Sequence, residues 1–106
     1  MTEQFKVFHF QELDWLIYFP LEGNKGKNCD YTVFLENRKE KTNHTLNRVN
    51  LGALMERREL DEHYPHTVGF FKASVDDAAS SELRYMEIRT IHDVNEFWLF
   101  LNALDL

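Results

Sequence analysis

Apolar residues along this chain change period three times, and those changes divide it into elements. In Gln4 to Phe10, Phe5 and Val7 alternate with Lys6, while Phe8 and Phe10 occupy the opposite face, which predicts a strand covered at least partly on both sides. Gln11 to Asp14 reads as a turn. Trp15 to Phe19 is a nearly continuous apolar run of β-branched and aromatic residues, and Pro20 ends it because proline cannot donate to a ladder. The short connection predicts an antiparallel hairpin.

Glu22 to Asn28 holds two glycines and two asparagines and reads as a loop. Tyr31 to Glu36 predicts a third strand, Asn37 to Thr45 a polar connection, and Leu46 to Asn50 a short strand. From Asn50 the period becomes helical: Leu51, Leu54 and Met55 share one face, with Asn50 placed as N-cap. That helix of about three turns ends before Pro65, whose ring pushes the preceding residue out of the α region.

His66 to Ala73 reads as a strand in which Gly69 marks a bulge or a close backbone approach. Ser74 to Ser81 predicts a polar loop or one helical turn, and Leu83 to Thr90 an outer strand. In the last segment Val94, Phe97, Trp98, Leu101 and Leu104 recur at steps of three and four, the stripe of a docked amphipathic helix. Leu99 and Phe100 fall outside the centre of that stripe. Thr90 to Asp93 has capping-box form, and Asp93 and Glu96 sit where the helix dipole favours acids.

The fold class that follows is α+β: a mainly antiparallel sheet of about five strands, a short middle helix, and a C-terminal amphipathic helix packed on one face. Residues 1–106 hold enough for one hydrophobic core and too little for two, so a single domain is expected. The single cysteine, Cys29, cannot form an intramolecular disulfide, which suits a reducing, cytoplasmic setting. No leader of basic then apolar residues is readable, and no apolar run reaches the length of a membrane span.

Charge adds direction to this picture. The net charge is −6, and all of the excess falls in residues 51–106, with eleven acidic against five basic side chains. Such a balance disfavours nucleic acid and anionic lipid and suits a basic protein partner. The acids Glu56, Glu59, Asp61, Glu62, Asp76 and Asp77, with Tyr64 as an aromatic anchor, form the expected partner-binding set. Immunity proteins and phage-encoded blockers of host defence share these gross features of size, acidity and α+β class, a similarity of type without a shared motif. The expected function is therefore a non-enzymatic inhibitor or immunity-type module.

Candidate chemistry is sparse. His63 and His66 stand three apart beside Asp61 and Glu62, ligand types that zinc accepts, but two imidazoles without cysteines fall short of a structural metal site. A small enzyme or ligand-binding domain around His63 and His66 is the alternative function. No Gly-rich phosphate loop and no nucleophile with a local family pattern is present, so no cofactor, metal or catalytic residue is expected. Residues 23–50 carry a local balance of +3, with Lys25, Lys27, Arg38, Lys39, Lys41 and Arg48 interleaved by Tyr31 and Phe34. Single-strand nucleic-acid binding through residues 25–48 is thus a third reading. The aromatics of the final helix suit either packing within one chain or a symmetric homodimer, and the sequence leaves the oligomeric state open.

Overall fold

The structure is a computed structural model that describes residues 4–21, 30–50, 64–78 and 82–103. Strands β1 (Phe5–Phe10), β2 (Trp15–Pro20), β3 (Asp30–Asn37), β4 (Thr42–Asn50), β5 (His66–Ala73) and β6 (Glu87–Ile91) form one sheet in the order β4-β3-β2-β1-β5-β6. Every neighbouring pair is antiparallel. Helix α1 (Val75–Ala78) follows β5, and α2 (Val94–Ala103) follows β6. The fold is mixed α+β, with six strands among the described residues rather than about five.

β1 lies between β2 and β5, and all six of its residues are buried. Its alternation therefore feeds two cores instead of one. Phe8 and Phe10 join Ile17, Phe19, Val68, Phe70 and Ile91 on one face, together with Phe97, Phe100 and Leu101 of α2. Phe5 and Val7 join Leu16, Tyr18, Phe71 and Ala73 on the other, against Ala78 of α1 and the partly buried Leu83 and Tyr85. The strand period of two thus divides one apolar run between two layers.

Four expectations change. The connection after β3 is only residues 38–41, and β4 begins at Thr42. The tight turn is stabilised locally: the Glu40 amide donates to Asn37 Oδ1 at 3.1 Å, and Lys41 takes a φ of 56°. β4 reads as polar because it is an edge strand, where apolar alternation is weakest. Asn50 closes β4; the middle helix expected beyond it, with Asn50 as its N-cap, falls in residues 51–63, outside the described residues.

β6 starts at Glu87, not near Leu83, because residues 82–86 leave the ladder and lay Tyr85 across the second core. The helix cap moves with it. Thr90 stays in β6, and Asp93 caps α2 by accepting the Glu96 amide at 2.9 Å, while Glu96 Oε2 accepts the His92 amide at 2.7 Å. Phe100, expected off the stripe, is fully buried, whereas Leu99 is 63% exposed. The apolar stripe of α2 is therefore rotated toward Phe100, and Leu104 lies outside the described residues.

Candidate functional site

A buried histidine organises a polar group that links β1, the β1–β2 turn and Tyr85. His9 sits on β1 between Phe8 and Phe10, on the second face of the sheet, opposite Leu16 of β2 and Gly69 of β5. Its Nε2 lies 2.7 Å from Asp14 Oδ1 and its Nδ1 lies 2.6 Å from the Tyr85 hydroxyl. A carboxylate can only accept, so Nε2 carries the proton and Nδ1 accepts from the Tyr85 O–H. Asp14 also faces Arg38, whose guanidinium is 3.8 Å away.

Local structure explains each position. Asp14 ends the β1–β2 turn with a φ of 55°, a left-handed conformation that aspartate tolerates better than most side chains. Arg38 follows β3, and its amide donates to the Asp14 carbonyl at 3.0 Å. Tyr85 reaches His9 because Gly69 has no side chain: the tyrosine ring occupies the space where a Cβ would stand. The two rings are nearly parallel, at 15° with centroids 6.0 Å apart.

Burial pushes the His9 pKa below its ordinary value, although the hydrogen bond and charge of Asp14 oppose the shift. Burial likewise raises the Tyr85 and Tyr18 hydroxyls and the Glu36 carboxyl. His9 is thus held neutral between a donor and a carboxylate. The unfolded chain takes up a proton near pH 6.5 that folded His9 resists, so stability falls as the pH drops through that value and levels off below the lowered folded pKa. His9→Gln removes this share of the decline. Urea unfolding at a series of pH values checks it, and a variant whose stability falls in parallel with wild type between about pH 7 and 5 would exclude His9 as the source.

The expected site residues fall in several places. Glu56, Glu59, Asp61, Glu62, His63 and Cys29 lie outside the described residues. Asp76 and Asp77 are exposed on α1, where the Asp77 amide donates to Ser74 Oγ at 3.1 Å. Tyr64 is half-buried, its ring 4.7 Å from that of His66 and packed against the first core. Tyr64 precedes β5 and the two aspartates follow it, a separation of roughly 24 Å along a strand of this length. They do not form one patch.

His66 is fully buried, with its ring 5.2 Å from Phe10. As the first residue of β5 it faces the rings of Phe10 and Tyr64. Among the described residues no group of three metal-ligating side chains occurs. Of the basic stretch, Arg38 faces Asp14, and Lys39 donates to the Glu12 carbonyl at 3.4 Å.

An open cleft of about 470 Å³ lies at the end of β5, lined by Phe71, Lys72, Ala73, Asp77, Glu82, Leu83 and Arg84. Its charges are mixed. Beyond it, Met86 and Ile88 are 61% and 54% exposed. Sequence reasoning missed the His9–Tyr85 contact because 76 residues separate the partners. The signals were a polar residue at an inward position of β1 and the close approach marked by Gly69.

Among the described residues no helix is long and apolar enough to cross a membrane. What the geometry defines is an α+β sheet protein with two hydrophobic cores, one on each face of the sheet, and an acidic, partly apolar periphery. Comparison with known protein families, curated proteins and solved structures finds no match for this chain.

Proposed function

We propose that this chain is a non-enzymatic, cytoplasmic binding protein that occupies a basic surface of a protein partner, in the manner of an intracellular inhibitor, immunity protein or phage anti-defence protein. The observation that carries the reading is the placement of Asp76 and Asp77 side by side on α1, both exposed, beside the exposed Glu82 at the open end of β5. With a net charge of −6, such a rim speeds encounter with a basic surface and fixes its orientation. Glu56, Glu59, Asp61 and Glu62 extend the acidic set in sequence.

The competing reading, a ligand or catalytic site at His66, has less support, since that ring is enclosed by Phe10 and Tyr64. Affinity capture with the tagged chain from its native cells, at low and moderate salt, tests the proposal. The expected result is one basic protein at stoichiometric yield, with recovery falling as salt rises. Reversing Glu59, Asp61, Glu62, Asp76 and Asp77 to lysine should abolish that recovery while leaving the circular dichroism spectrum unchanged. Undiminished capture by the reversed variant would sink the assignment.

A further inference from the structure

We infer that β6 is a self-complementary edge along which two copies of this chain pair antiparallel, with Ile88 on the twofold axis. β6 is the terminal strand of the sheet, and among the described residues no strand lies beyond it. An open edge presents a row of unpaired backbone donors and acceptors. Glu87 to Ile91 contains neither the proline nor the lysine by which edges are often protected. Instead it shows exposed Ile88, with exposed Met86 just before it.

The identity of the occupant follows from charge and register. In a twofold antiparallel pair, facing residues lie on the same sheet face, so paired positions share parity and their sum is constant. With Ile88 on the axis, Glu87 faces Arg89 of the second copy twice over, Ile88 meets Ile88, and Met86 meets Thr90. Glu87 and Arg89 already form an ion pair within one strand, which shows that both side chains reach the same side of the sheet. Pairing then builds a closed ring of four alternating charges.

The neighbouring registers fail on the same test. Placing Arg89 on the axis sets two guanidiniums against each other and turns Glu87 toward the buried Ile91. Placing Glu87 on the axis opposes two carboxylates. Like charges directly opposite destabilise a strand pair, so the Ile88 register is the one that both aligns opposite charges and joins exposed apolar side chains. This dimer forms through the sheet; of the helix aromatics, Phe97 and Phe100 are fully buried and Trp98 packs against the first core. It stands independently of the basic partner proposed above.

Sedimentation equilibrium of the full chain over a concentration series tests the pairing. Wild type should run as a dimer that dissociates on dilution. Glu87→Arg alone or Arg89→Glu alone should weaken it about tenfold or more, since each sets like charges opposite at both ends of the pair. Glu87→Arg with Arg89→Glu should restore association, because the swap rebuilds the same ring in reverse. Ile88→Lys should give monomer with an unchanged circular dichroism spectrum, and altered folding in that variant would leave the charge swap as the deciding result. A wild type that is monomeric throughout the series overturns the inference, as do single reversals that leave the dimer intact or a double swap that fails to recover it.

Discussion

Replacing Phe8 with alanine lowers stability by about 3–5 kcal/mol, a large share of the roughly 5–15 kcal/mol that holds an ordinary domain folded. Phe8 is fully buried at the middle of β1. Its ring lies 5.6 Å from Phe19 of β2, 5.2 Å from Phe70 of β5, and 5.1 and 5.5 Å from Phe97 and Phe100 of α2. Three of these four contacts are edge-on, the geometry in which the positive rim of one ring meets the negative face of another. Truncation therefore removes the transfer energy of the ring, its aromatic contacts, and the filler between sheet and helix.

No neighbour can collapse into that space. The surrounding rings belong to three elements already held by ladders and by the helix backbone, so a cavity remains and adds to the cost. Urea unfolding should show a lower midpoint with an unchanged slope. Leu99→Ala, at an exposed apolar side chain of α2, should stay within about 0.5 kcal/mol of wild type. A loss below about 1 kcal/mol for Phe8→Ala would contradict the role of this ring as the joint between sheet and helix.

Gly69→Ala is the second large effect, expected to cost about 2–3 kcal/mol although it adds a single methyl group. An added Cβ would collide with Cγ, Cδ1 and Cε1 of Tyr85. The ring cannot slide away freely, because its hydroxyl is bonded to His9 at 2.6 Å and its chain is tied by the Met86 amide donating to the Phe70 carbonyl at 2.7 Å. Displacing it leaves buried His9 without a donor for Nδ1, which carries its own desolvation cost.

The decisive measurement is the double-mutant cycle with Tyr85→Ala. Once the ring is gone, Gly69→Ala should be neutral or stabilising, since alanine restricts the unfolded chain more than glycine does. A coupling of about 2–3 kcal/mol between the two sites is expected. Simple additivity would mean that the glycine is needed for something other than the passage of Tyr85.

What was legible in the chain was whatever a local period encodes. The alternation in Phe5 to Phe10 marked a strand with two covered faces, the run Trp15 to Phe19 marked its hairpin partner, and the three–four spacing after Val94 marked the final helix. Gly69 announced a close approach, though not of what. These signals survive in one dimension because burial on a strand or helix recurs at the period of the element itself.

Contacts between distant segments were decided only in three dimensions. The strand order placed β5 beside β1, which let Tyr85 cross Gly69 and reach His9, a pairing that no local pattern records. Edge position explains why polar β4 is longer than its composition suggested, and the departure of residues 82–86 from the ladder moved the helix cap from Thr90 to Asp93. Phe100 entered the core because the docking of α2 chose which side of a broad apolar stripe to bury. A period states which residues share a face; only packing against a particular neighbour states what that face meets, and from that come the buried histidine, the terminal place of β6 and the exposed acids of α1.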